Sequence, residues 1–259
     1  MRGLFLVFFL CAVLATPNAL ADDEGKLTKM KSDLKKTTKT TTSNDEDSFW
    51  VEILYWWAQV YIEYTFSDLG FRYLEYPYQD GRNVYLTDIE SSSRPFALEI
   101  LFGYQYINSE TNATFFDSRL RIPSGNSFSL CYLVFEEELK TGGYEYISFY
   151  SFTQRASLKS NQPLDISLDF GVNHFPGMNR GGFSYGFGVE IFPFQPIVLS
   201  FYFRQHIVAG GQDVLEAFFG IGVSLCNIEP TVGYRVFDFH GFGGGVALSG
   251  LFLGVRVRL

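Results

Sequence analysis

Lysine is nearly absent from most of this 259-residue chain: six of its eight lysines, Lys26, Lys29, Lys31, Lys35, Lys36 and Lys39, fall in one short stretch. The whole carries 20 Lys and Arg against 28 Asp and Glu, a net charge of −8. An acidic body argues against a nucleic-acid binder, whose affinity comes from basic surface meeting phosphate. Long apolar runs are missing too. Nothing after the first residues reaches about 18 unbroken apolar positions, so no transmembrane helix is expected. Cysteine is scarce, with no C-x-x-C and no metal-ligand spacing. Cys131 and Cys226 read as two unpaired thiols rather than a disulfide. Neither a cofactor nor a metal site is expected.

What is abundant is aromatic. Phe, Tyr and Trp make 18% of the chain, with 28 Phe and 16 Tyr but only 3 Trp. Residues 164–207 show how they are used. Leu164, Ile166, Leu168, Phe170 and Val172 alternate with Asp165, Ser167, Asp169, Gly171 and Asn173. Phe183, Tyr185, Phe187, Val189 and Ile191 alternate with Ser184, Gly186, Gly188 and Glu190, and a third segment follows from Ile197 to Arg204. A period of two means strands with one apolar face and one polar face.

The front of the chain reads as an export signal. Arg2 precedes an apolar run, Leu4 to Leu14, too short to span a bilayer, and Ala19-Leu20-Ala21 is a small-x-small cleavage site. Residues 1–21 are therefore expected to be removed. Residues 22–48 are polar and Lys/Thr-rich, the composition of a disordered linker, placed in the periplasm and free to meet a protein partner. Residues 49–66 hold all three tryptophans and fit either a helical stripe or a strand face; an extended connection completes residues 49–93.

From residue 94 to the end, about ten strands follow one another, or eight if two pairs merge. Pro123-Ser124-Gly125-Asn126 and Lys140-Thr141-Gly142-Gly143 mark turns. Lengths near ten residues suit a tilted strand crossing a bilayer. Hydrocarbon offers no hydrogen-bond partner, so the sheet must close. The expectation is all-β: a closed antiparallel up-and-down transmembrane β-barrel of about 8–10 strands.

The C-terminal run Leu251-Phe252-Leu253-Gly254-Val255-Arg256-Val257-Arg258-Leu259 resembles the terminal strand of small bacterial outer-membrane β-barrel proteins. That family's last strand ends in Phe or Trp and is read by the barrel-assembly machinery; this chain ends in Leu. The resemblance implies an outer-membrane location, with membrane lipid and lipopolysaccharide as surroundings.

If the apolar face meets lipid, the other face lines the interior. It carries Glu99, Arg119, Asp165, Asp169, Glu190, Arg204, His206, Glu216, Arg235 and Arg256, with Asp117, Arg121 and Arg258 beside them. Both signs are mixed, which predicts a plug of Arg–carboxylate pairs and a structural or surface-binding role. A narrow channel lined by the same charges is the alternative. A lipid-modifying enzyme is a third reading. It requires a nucleophile beside a base, yet Ser200 and His206 lie about 20 Å apart along one strand, so no catalytic residue is assigned. A soluble barrel turned inside out, with an apolar pocket, fits the alternation equally well. It is disfavoured by the glycines and small residues that its outer face would carry.

Overall fold

Every one of the ten strands pairs with the next, and the last returns to the first. The computed structural model describes Leu27 and residues 97–122, 126–161, 164–178, 180–209, 212–225, 227–240 and 245–259. The strands are β1 (Ala97–Tyr106), β2 (Thr111–Arg121), β3 (Asn126–Glu138), β4 (Tyr144–Asn161), β5 (Leu164–Phe175), β6 (Arg180–Phe194), β7 (Ile197–Val208), β8 (Gln212–Val223), β9 (Ile228–His240) and β10 (Val246–Arg258). They form one closed antiparallel barrel. Closure satisfies the backbone of both outer strands. Leu98 and Leu259 exchange N–H···O bonds of 3.1 and 2.8 Å across the seam.

Register fixes the shape. Following paired residues from Glu99 through Arg119, Ser129, Thr153, Gly171, Ser184, His206, Val214 and Phe239 arrives at Val246. The partner of Glu99 on β10 is Arg258, twelve residues further along (246 to 258). That stagger over ten strands gives a tilt of about 40° and an advance of about 2.5 Å per residue along the barrel axis.

The chain enters at Ala97 and leaves at Leu259 at one end, here the terminal end. Its connections are short, and so are those at the opposite, distal end: 107–110, 139–143, 176–179, 209–211 and 241–245. Gly142 and Gly143 turn the β3–β4 connection at φ of 81° and 102°, a region other residues rarely enter. No long loop stands above either end among the described residues.

The outer wall has a graded surface. From the terminal end it carries Leu98, Ile100, Leu130, Phe152, Phe187, Phe201, Ile221, Val232 and Leu253, an apolar belt about 23 Å tall by the same geometry. Six tyrosines then stand out within a band about 6 Å deep by the same geometry: Tyr104, Tyr106, Tyr132, Tyr150, Tyr185 and Tyr234. Most of these are exposed, for example Tyr106 at 51%. Above them the wall carries Glu136, Glu138, His174, Asp213, Asp238, His240 and Ser249, with Tyr144 and Tyr146 of β4 beside Glu138 and Glu136. The lumen changes in the opposite sense. Charged side chains fill it below the tyrosine ring, and Phe135, Phe149, Phe175, Val208, Val214, Phe237, Phe239 and Leu248 fill it above, all buried.

The expected closed barrel is what the structure contains, at the upper end of the expected strand count, and the faces expected to be apolar point outward. The assignments for residues 1–21, 22–48 and 49–93 lie outside the described residues, Leu27 excepted. Cys131 is buried with a free thiol; Cys226 lies outside the described residues. No described helix is long and apolar enough to cross a membrane, which bears only on helices.

Candidate functional site: a two-tier ion-pair plug

The lumen-facing positions of the strands bring together all ten residues named from the alternation. Glu99, Arg119, Asp165, Asp169, Glu190, Arg204, His206, Glu216, Arg235 and Arg256 are each at most 7% exposed. They fall into two tiers.

The tier nearer the terminal end gathers β1, β2, β5, β6, β9 and β10. Arg121 Nε sits 3.0 Å from Glu99 Oε1, and its Nη2 lies 3.4 Å from Glu190 Oε2. Arg119 lies 3.5 Å from Glu99 and 3.8 Å from Glu190. Arg256 reaches Glu229 at 3.1 Å and Glu190 at 3.6 Å. Arg258 pairs with Glu229 and stands 3.7 Å from Glu99. Asp165 closes the ring at 4.0 Å from Arg121.

The second tier is built on Asp169 and Glu216. Arg155 donates to Asp169 through Nε to Oδ1 (2.7 Å) and Nη2 to Oδ2 (3.0 Å), and Arg204 Nε donates to the same Oδ2 at 2.8 Å. Glu216 accepts from Arg235 and lies 3.6 Å from Arg204 Nη1. Arg235 lies over the Phe115 ring at 3.9 Å and the Phe237 ring at 4.8 Å, so its charge meets π faces where the lumen becomes apolar. Glycine makes room for these long side chains. A Cβ at Gly186 would fall 2.8 Å from Arg204 Cγ, and one at Gly188 would fall 3.2 Å from Arg155 Nη2.

Arg155 and Glu229 escaped the reading of the alternation. The alternation alone ends the fourth strand at about Gln154 and begins the ninth at about Thr231, whereas β4 runs on through Arg155 and β9 begins before Glu229. Counting them with Asp117, Arg121 and Arg258, the described lumen holds seven arginines: 119, 121, 155, 204, 235, 256 and 258. Facing them in the two tiers are seven carboxylates: 99, 117, 165, 169, 190, 216 and 229; an eighth buried carboxylate, Glu137, stands apart at the distal mouth. Equal numbers of strong pairs give the plug no net charge to attract an ion of either sign. Between the tiers lies a cavity of about 20 Å³, lined in part by Arg119, Arg155, Glu190, Tyr202, Arg204 and Arg256. That is room for roughly one water.

His206 has its nucleophile-type neighbour on the next strand. Ser184 Oγ is 2.8 Å from Nδ1, and Nε2 is 3.2 Å from Glu216 Oε2. Ser200 lies elsewhere, opposite Glu190. Asn173 Nδ2 donates to Ser184 Oγ at 3.0 Å, so the hydroxyl accepts from Asn173 and donates to the imidazole, whose Nε2–H donates to Glu216. The order Ser–His–Glu matches a hydrolytic triad. Here, however, His206 is 0% and Ser184 1% exposed, and Phe149 covers the imidazole at 4.9 Å. Both groups are shut off from solvent, and the chain of hydrogen bonds ties β5, β6, β7 and β8 together. His174 and His240 sit at the distal rim, outside the lumen. Among the described residues no three His, Cys, Asp or Glu side chains are placed to hold a metal ion.

Geometry thus defines a closed ten-stranded barrel with ion-paired tiers in its lumen and an apolar outer belt. No family model matches the chain, and no curated protein does. Similar solved structures are bacterial outer-membrane barrels. One is the outer membrane protease OmpT of Escherichia coli (8% identity, TM-score 0.42, covering 66% of this chain and 100% of that one). Others are the outer membrane channel DcaP of Acinetobacter baumannii (10%, 0.35, 61% and 62%) and Neisserial surface protein A (12%, 0.33, 63% and 96%). A protease and a channel both stand among them, and at these scores no role is carried over.

Proposed function

We propose that this chain is an outer-membrane barrel that serves as a sealed structural anchor, presenting its distal rim to the aqueous side, rather than a pore. One observation carries the reading: the outer wall changes from apolar to polar at the tyrosine ring. An apolar band about 25 Å tall edged by aromatic residues is what a bilayer requires of a barrel wall. The polar rim above it, with an apolar lumen inside, is built as a water-soluble barrel would be. The small cavity within the plug and the paired charges support a closed lumen.

The reading predicts that the mature protein fractionates with membranes, is extracted only by detergent, and changes mobility on gels when heated. Purified protein in planar bilayers stays silent over many insertions. Stepwise conductance altered by Arg204→Ala would replace the anchor with a channel. Recovery of the protein in the soluble fraction after osmotic release would remove the membrane itself.

A further inference from the structure

The distal lumen poses a problem that the rest of the barrel does not. Its walls are phenylalanine, valine and leucine, and it lies beyond the tyrosine ring, where the outer wall carries carboxylates. Leu27 answers it. This residue, 70 positions before β1 begins (27 to 97), is 0% exposed and belongs to the same buried cluster as Phe135, Phe237, Phe239 and Leu248. Its backbone N–H donates to Glu137 Oε2 at 2.9 Å. Glu137 ends the lumen face of β3 at the distal mouth and is 2% exposed.

We propose that the distal mouth is a peptide-binding cup whose occupant is the chain's own Lys-rich N-terminal segment, seated through Leu27. Three features of the mouth fit that occupant. The apolar cup accepts the leucine side chain. The surroundings are acidic, with Glu110, Glu136, Glu137, Glu138, Asp213 and Asp238, and Leu27 is flanked by Lys26, Lys29 and Lys31. The cup also offers a buried polar atom: Thr111, which pairs with Glu137 in register, has no hydrogen-bond partner for its hydroxyl among the described residues, at 1% exposure. The two ion-pair tiers close the lumen below, so the segment enters the cup from the distal side. Residues 28–96 have only about 30 Å of barrel height to make up, a small part of their extended reach. The cup itself does not depend on the bilayer, so it stands or falls separately from the membrane location.

The test uses the full mature chain folded in detergent micelles. Leu27→Cys is introduced with Cys226→Ser, leaving buried Cys131 as an internal control, and maleimide labelling is timed against the same protein in denaturant. Labelling at position 27 is expected to be slower by roughly tenfold or more. Glu137→Gln, or an excess of a synthetic peptide of residues 22–40, should accelerate it. Thr111→Cys gives an independent readout: it is protected in the native chain and becomes reactive when Leu27→Asp is added. Labelling of position 27 at the denatured rate, or reactivity of position 111 unmoved by Leu27→Asp, overturns the proposal. Protection that disappears on dilution would assign the occupant to a second copy and overturn it as well.

Discussion

Asp169→Ala removes one carboxylate from between two guanidinium groups. Arg155 loses bonds of 2.7 and 3.0 Å, and Arg204 loses one of 2.8 Å. The two arginines fare differently. Arg204 keeps Glu216 at 3.6 Å, whereas Asp169 is the one carboxylate within ion-pair distance of Arg155 among the described residues. Arg155, 5% exposed, is left as a buried charge without its counter-ion. Breaking such a pair costs about 3–5 kcal/mol, a shift of roughly two to four decades in the folded-to-unfolded ratio. The assay is urea unfolding in micelles, scored by the folded and unfolded gel bands. Replacing both partners, Arg155→Leu with Asp169→Leu, removes the orphaned charge and should recover most of the loss, because an apolar pair of similar bulk replaces an ionic one. If Asp169→Ala lies within about 1 kcal/mol of the parent, the pair behaves like one at a wet surface. The sealed lumen would then be wrong.

Other consequences follow from single contacts. Spin labels at Phe201→Cys and Asp238→Cys in vesicles should differ, the first contacted by oxygen dissolved in lipid and the second by a water-soluble nickel reagent; equal exposure would remove the tyrosine ring as the bilayer boundary. Gly103→Ala places a methyl 2.2 Å from the Phe252 ring and should cost about 1–3 kcal/mol as overpacking. Adding Phe252→Leu should return part of it, and no recovery would mean that the clash is with the backbone at the seam. Ser184→Ala leaves Asn173 and His206 without their shared partner and should cost about 1–3 kcal/mol. Any ester hydrolysis that the parent performs and this variant loses would establish the triad as catalytic.

The strand positions were legible because the period of two is local. Val172 and Asn173, or Leu251 and Phe252, reveal their opposite faces without reference to any neighbour. Strand ends were less legible. The alternation starts the ninth strand at about Thr231, yet Pro230 lies in β9, beyond the last residue pair with β8, Gly222 with Thr231. Its missing N–H therefore costs no ladder bond on that side, and Glu229 before it still faces Arg256. Contacts between strands were not legible at all. Ser200 and His206 share a strand and a face, and that made them the pair to weigh. The serine that meets His206 is fixed by the β6–β7 register, which no spacing within one strand encodes.

Alternation also says nothing about which face is the inside, and this chain uses that silence. On β9 the lumen face reads Glu229, Thr231, Gly233, Arg235, Phe237, Phe239, while the outer face reads Val232, Tyr234, Val236, Asp238, His240. Neither series breaks step; each simply changes polarity near Arg235. β3 does the same, passing from Ser127 and Ser129 to Leu133 and Phe135 inside, and from Leu130 and Tyr132 to Glu136 and Glu138 outside. A wall that met lipid along its whole height would have no use for Asp238 and Glu136 outside, and a wholly soluble barrel would not bury seven arginines behind an apolar belt. The lower wall has the polarity that the membrane reading requires, and the upper wall has the opposite polarity, bulky side chains inside and carboxylates outside. The two meet where Arg235 lies between Glu216 and the Phe115 and Phe237 rings. A charge there has a carboxylate on one side and π faces on the other, so it can terminate the ionic lumen without being stranded in the apolar one.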